Sequence, residues 1–121
     1  MKVLICGDWN WTNIQLIREW LIKLKNEGYD TVIEGEARGA DSIARDLALL
    51  LNMKIESYPA DWSKYGRSAG PIRNTQMLKE GKPDFVLAFH NNIASSKGTA
   101  NMLKQVEGKV KSKLVTEYEE R

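Results

Sequence analysis

The sequence predicts an α/β fold in which one parallel sheet is covered by helices on both faces, and three observations predict it. Two runs, Val3-Leu4-Ile5-Cys6 and Phe85 to Phe89, are continuously apolar at strand length, as strands buried on both faces are. Strand-like and helix-like segments alternate along the chain, which favours parallel strands joined by right-handed crossovers. The 121 residues, 42% hydrophobic and 28% charged, are about one domain's worth of globular sequence. With no internal repeat, low-complexity tract or linker, residues 1–121 are expected to form a single domain.

Taken in order, Val3 to Cys6 is a central strand ending at Gly7. Ile14, Ile17, Trp20 or Leu21, and Leu24 then recur at helical spacing until Gly28 offers a stop. Thr31-Val32-Ile33 is a short β-branched strand leading to Gly35, and Ala40, Ile43, Ala44, Leu47 and Leu51 form the stripe of a second helix. Lys54 to Tyr58 alternates polar and apolar residues, as an edge strand does. Pro59 to about Ala69 reads as irregular. Gly70-Pro71 opens a helix, with proline where its missing N–H does no harm, and Lys79 to Pro83 closes it. Phe85 to Phe89 is the second central strand. Met102, Leu103 and Val106 mark a last helix, and Val110 to Tyr118 holds a final strand with a polar tail. Placing the two most apolar strands side by side gives the order 3-2-1-4-5, a single Rossmann-like domain. Ligands of such sheets bind beyond the carboxyl ends of the strands, where the order reverses.

Charge and composition exclude several functions. Eighteen Lys+Arg against sixteen Asp+Glu leave +2, too little for a uniform basic field, so nucleic acid is not an expected partner and any cation-rich site must be local. The single cysteine, Cys6, cannot form an internal bridge, which suits a reducing compartment. Met1 to Gly7 lacks the pattern of a signal peptide, and the longest apolar stretches, such as Leu47 to Leu51, fall far short of a membrane span. A cytoplasmic protein without a membrane partner is expected. One histidine, His90, and one cysteine exclude a His/Cys zinc site within one chain, and no metal or cofactor is expected.

Four loops carry the candidate site. After the first strand, Gly7 lets backbone approach a ligand, and Trp9 or Trp11 offers a face for a base. Asp8, Asn10 or Thr12 is expected to cap the first helix, while one tryptophan covers the core edge. After the second strand, Gly35 and Gly39 bracket a turn whose N–H groups suit a phosphate, with Arg38 adding a planar donor fork. Asp41 either complements the helix dipole or accepts from ribose hydroxyls. Between Pro59 and Asn74, Lys64, Arg67 and Arg73 supply cations, and Trp62 and Tyr65 supply aromatic faces. Long irregular loops in small domains are commonly binding loops or lids. After the fourth strand, Lys97-Gly98-Thr99 at a helix start forms a second anion cradle.

Known catalytic signatures are missing. No Gly-Lys-Ser/Thr follows a glycine at Walker spacing, no G-x-G-x-x-G follows the first strand, and no G-x-S-x-G elbow occurs. His90, the only imidazole, reads as structural or solvent-facing. Acid–base chemistry would have to use Asp8, Glu36, Asp41 or Asp61, and no catalytic residue is assigned.

Gly-Asp-Trp at 7–9, Gly-Glu-Ala-Arg-Gly-Ala-Asp at 35–41, Pro-Ala-Asp-Trp at 59–62, Gly-Arg-Ser-Ala-Gly-Pro-Ile-Arg-Asn at 66–74, Met77 and Gly-Thr-Ala-Asn-Met at 98–102 lie in consistent order. Together they resemble the YspA-like, cpYpsA-related branch of the SLOG superfamily, related to the LOG phosphoribohydrolases and to DprA. The resemblance implies a nucleotide or ADP-ribose-like ligand, including the cyclic ADP-ribose species sensed in prokaryotic defence. It also implies a homo-oligomer, since LOG relatives are dimers or larger. Arg73 resembles the arginine that LOG enzymes carry before the fourth strand, and Gly98-Thr99 their Gly-Thr pair. Ala94-Ser95-Ser96 replaces their Pro-Gly-Gly, and Asn101 and Met102 stand where their acidic residues lie. An amide cannot exchange a proton as a carboxylic acid does, so binding survives better than LOG-type catalysis. Asn101 is then expected to be a ligand or loop-fixing contact.

The expected function is binding of such a molecule, for sensing or sequestration. Its site draws on Gly7, Asp8, Trp9, Gly35, Arg38, Gly39, Asp41, Trp62, Tyr65, Arg67, Arg73, Asn74, Lys97, Gly98, Thr99 and Asn101. The alternatives are N-glycosidic hydrolysis of a nucleotide and, by analogy with DprA, single-stranded DNA binding.

Overall fold

The computed structural model describes residues 1–118, and the last three positions of the expected 1–121 domain lie outside the described residues. Five strands, β1 (Lys2–Gly7), β2 (Thr31–Glu34), β3 (Lys54–Ser57), β4 (Phe85–Phe89) and β5 (Lys111–Val115), form one sheet. Every neighbouring pair is parallel, in the order β3-β2-β1-β4-β5, as the apolar runs predict. The register sets Val3 beside Phe85, Leu4 beside Val86 and Gly7 beside Phe89, so the two central strands end level with each other.

Alternate residues of those strands serve opposite faces. Val3 and Ile5 pack with Leu16, Ile17 and Leu21 of α1 (Ile14–Asn26) and with Ala44 and Leu47 of α2 (Ala40–Leu50). Leu4 and Cys6 pack on the other face with Met77, and with Met102 and Val106 of α5 (Gly98–Val106). Each large aliphatic side chain fully buried this way contributes about 1.5–3 kcal/mol of transfer free energy. The switch from one helical layer to the other falls between β1 and β4.

Three local expectations are corrected. Asn13, rather than Asp8, Asn10 or Thr12, caps α1, its side chain accepting from Leu16 N at 3.1 Å. Ile14, counted in the apolar stripe, is exposed in the first turn. The stretch read as irregular is largely helical: α3 (Trp62–Tyr65) is followed by a 3₁₀ turn at Gly66–Ser68 and by α4 (Ala69–Gln76). Asp61 starts it by accepting from Lys64 N at 3.1 Å, and a single turn is too short to show a hydrophobic period. Pro71 falls in the first turn of α4, where its missing donor has no partner to lose. Past α4 the chain widens into a π-helical turn, Met77–Gly81, that ends on Lys82 in the left-handed region (φ 50°). Among the described residues no helix is long and apolar enough to cross a membrane.

Candidate functional site

A cavity of about 610 Å³ opens beyond the carboxyl ends of β1 and β4. It is lined by Gly7, Asp8, Trp9, Asp41, Trp62, Arg67, Arg73, Asn74, Lys97, Gly98 and Thr99 of the candidate set. Cys6, Met77 and His90 also line it, and they were outside that set. Gly35, Arg38, Gly39, Tyr65 and Asn101 do not reach its wall.

At the end of β1, Asp8 N donates to Phe89 O at 2.9 Å, which ties the two central strands together past their last paired residues. The Asp8 carbonyl accepts from Trp11 N at 3.1 Å and Ala40 N at 3.2 Å, so the backbone here is held from two sides. Of the two tryptophans, Trp11 belongs to the core, packed on Phe89 with ring centres 5.6 Å apart. Trp9 is the available face. It is half exposed and meets Trp62 edge-on, 6.3 Å between centres, and Arg38 lies 6.0 Å from its ring while donating to Asn10 Oδ1 at 3.4 Å. Arg38 thus braces the cavity's rim from outside. Tyr65 is exposed, with the Lys64 ammonium 5.0 Å over its ring.

The turn from Gly35 to Asp41 spends most of its amides on the chain's own acceptors. Gly35 N and Ala37 N donate to Asp41 Oδ2 at 3.0 and 3.4 Å, Glu36 N donates to the buried Glu34 carboxylate, and Ala40 N donates to Asp8 O. Those four amides are taken up inside the structure, and Gly35, Arg38 and Gly39 lie off the cavity wall. Gly39, at φ 77°, passes so close to the Asp8 and Trp9 carbonyls that a Cβ would lie 2.5 Å from the latter. Gly35 makes room instead for a side chain: the Arg73 guanidinium lies against it, where a Cβ would sit, and donates to its carbonyl at 2.6 Å. Asp41 therefore organises the turn rather than the helix dipole alone. Burial raises its carboxyl to about 7, against the opposing pull of the nearby Arg73 cation and the Gly35 amide. Burial likewise pushes the Cys6 thiol up, out of its reactive form.

On α4, Arg73 also donates from Nε to Asn74 Oδ1 at 3.1 Å. Asn74 in turn donates to Gly98 O and to Asn101 Oδ1, both at 3.2 Å, and Asn101 accepts a further bond from Gln105 at 2.7 Å. Asn101 is thus a loop-fixing contact between helices, off the cavity wall. The first turn of α5 leaves the Gly98 and Ala100 amides without partners among the described residues, while Thr99 N donates to Ser96 Oγ at 3.0 Å. Thr99 is 5% exposed, and its hydroxyl has no hydrogen-bond partner among the described residues. Arg67, Arg73 and Lys97 line the same cavity and form no ion pair among the described residues.

The model of the family described as YspA, cpYpsA-related SLOG matches residues 1–65. Gene 61 protein of Mycobacterium phage D29 is 33% identical over 113 residues, an alignment that takes in 88% of each chain. This chain belongs to the YspA, cpYpsA-related SLOG family. No solved structure matches it significantly. In this SLOG chain the matched half supplies Gly7, Asp8, Trp9 and the Gly35–Asp41 turn, and the cavity's cations come from beyond it.

His90 was the residue sequence reasoning passed over, and a signal for it existed. Once β1 and β4 are placed side by side, Gly7 and Phe89 pair, so the next residues, Asp8 and His90, must stand together at the mouth of the sheet.

Proposed function

We propose that this SLOG protein binds a nucleotide or an ADP-ribose-derived small molecule, including cyclic signals of that class, as a sensor or a sequestering protein. The observation that carries the reading is the set of cations outside ion pairs among the described residues: Arg67, Arg73 and Lys97 line a cavity that also holds the start of α5 at Gly98 and the Thr99 hydroxyl, which has no hydrogen-bond partner among the described residues. Positive groups without a carboxylate partner, next to unbonded helix N–H groups, suit a phosphate. Trp9 and Trp62, both half exposed at the rim, support stacking of a base, and Asp8 supports hydrogen bonds from ribose hydroxyls. The cavity volume falls in the range of small-molecule sites. Calorimetry with AMP, ADP and ADP-ribose tests the reading, alongside mass spectrometry of whatever co-purifies. Intact ligand released from denatured protein is the expected result, and no binding by any of the three up to about 1 mM rejects it.

One observation favours a second reading, hydrolysis of a nucleotide N-glycosidic bond. Asp41, on the cavity wall with its carboxyl raised to about 7, is suited to hold a proton for a leaving base, and Asp8 lines the same cavity as a potential base. Asp61 is engaged as the α3 cap and Glu36 lies off the wall, so neither contributes. Free base appearing from nucleoside monophosphates or NAD-derived nucleotides, and lost in Asp8→Asn, would establish it. Strongly salt-dependent association with oligonucleotides would instead favour the DprA-like alternative. Self-association belongs to the proposal as well, since the LOG relatives assemble, and sedimentation equilibrium showing a monomer rejects that part.

A further inference from the structure

We infer that Asp8 and His90 form a paired donor and acceptor that grips one sugar hydroxyl, so that the cavity distinguishes ribose from deoxyribose. The inference rests on the nucleotide-binding reading and adds a residue, His90, and a selectivity to it.

The tautomer follows from the hydrogen bonds. Asn92 N donates to His90 Nδ1 at 3.0 Å, so that nitrogen must present its lone pair, and the neutral ring carries its proton on Nε2. The ring is 6% exposed and lines the cavity, and its own backbone N–H is tied to Val115 O at 3.1 Å. Nε2 faces Asp8 Oδ2 at 4.0 Å, beyond a direct hydrogen bond. The other Asp8 oxygen is engaged, accepting from Asn10 N at 2.9 Å, which orients the carboxylate.

A donor and an acceptor that face each other across 4.0 Å without touching leave a place for one atom that can serve both. An oxygen seated about 2.8 Å from each completes a reasonable triangle. A hydroxyl fits, because it accepts from Nε2–H and donates to the carboxylate. A phosphate oxygen cannot donate and would be repelled by Asp8, and a methylene can do neither. The cations and the open α5 turn lie elsewhere on the same wall, at Arg67, Arg73, Lys97 and Gly98, so phosphate and sugar have separate places. Removing the hydroxyl leaves the N–H of the buried His90 ring without a partner, facing a partly exposed Asp8 carboxylate, and a site built to pair a hydroxyl disfavours the analogue that lacks it.

Calorimetry with ADP, 2′-deoxy-ADP and 3′-deoxy-ADP on the full chain tests this without any variant. One of the deoxy forms is expected to bind about 10–100-fold more weakly than ADP. His90→Ala, checked for an unchanged thermal transition, is expected to bind ADP and that deoxy form alike, which distinguishes a contact from a general loss of affinity. Long-range proton–nitrogen NMR of the imidazole reads the tautomer without ligand, and a proton on Nδ1 overturns the inference. Equal binding of all three nucleotides also overturns it while leaving the nucleotide-binding reading intact. Absence of binding by ADP and ADP-ribose alike rejects both.

Discussion

Replacing Asp41 with asparagine should change how stability depends on pH. In the folded chain the carboxyl titrates near 7, raised by burial, whereas in the unfolded chain it titrates near 3.8. Between those values the native state keeps a proton that the unfolded state has lost, so stability falls as pH rises through the window and levels off above it. With those two values the penalty is on the order of 2 kcal/mol at pH 5 and on the order of 4 kcal/mol at pH 8. An asparagine side chain does not titrate, and its oxygen can still accept from Gly35 N. The stability of Asp41→Asn relative to the parent should therefore rise by roughly 2–3 kcal/mol from pH 5 to pH 8. Urea denaturation of both proteins at the two pH values measures the difference, whatever fixed offset the substitution introduces. Parallel pH profiles would refute the reasoning, because they would mean that Arg73 and the two donated amides hold the carboxylate ionised in the native state as readily as water does.

Three other substitutions separate ligand contacts from framework. Arg73→Ala should weaken ADP-ribose binding by about 10–100-fold while lowering stability by no more than about 1.5 kcal/mol, and unchanged affinity by calorimetry removes Arg73 from the site. Gly39→Ala drives a methyl group toward the Asp8 and Trp9 carbonyls at a backbone conformation that L residues avoid, and should destabilise by about 2–5 kcal/mol in urea. Gly35→Ala meets only the flexible end of Arg73, so it should displace the guanidinium, reducing ADP-ribose affinity with a much smaller stability loss than Gly39→Ala.

The sheet was legible because burial on both faces leaves a mark on composition: Val3 to Cys6 and Phe85 to Phe89 are apolar without interruption, and pairing them gives the strand order and the place of the cavity. Much of the cavity wall followed, since Asp8, Trp9, Arg73 and Thr99 come from loops and helix starts that the order directs to one end. The failures were local. Asp8, Asn10, Thr12 and Asn13 are all competent caps, and which one meets an open amide depends on where the chain turns after β1. Residues 62–68 form helix in pieces of four and three residues, too short for a period to register. The Gly35–Gly39 turn misled for a different reason. Its spacing suits an anion, but sequence cannot show that the nearest anion is the chain's own Asp41.

That internal anion changes what the glycine-rich motif is for. The Gly35, Glu36 and Ala37 N–H groups are turned toward Asp41 and Glu34, and the Gly35 carbonyl is taken by Arg73. The motif thus shapes the cavity through the arginine. Gly35 supplies the missing Cβ that lets the guanidinium lie flat, Asn74 holds its Nε, and the same Asn74 reaches the Gly98 carbonyl at the start of α5. One continuous set of contacts therefore runs from the end of β2 through α4 to Gly98 on the cavity wall, where α5 starts. Exchanging Asn101 for an acid would place a carboxylate in this set against Asn74 and Gln105, off the cavity wall, where it has no access to a bound glycosidic bond. In this chain the framework around Asn101 is suited to holding α5 in place, while Asp8 and His90 face each other across the cavity.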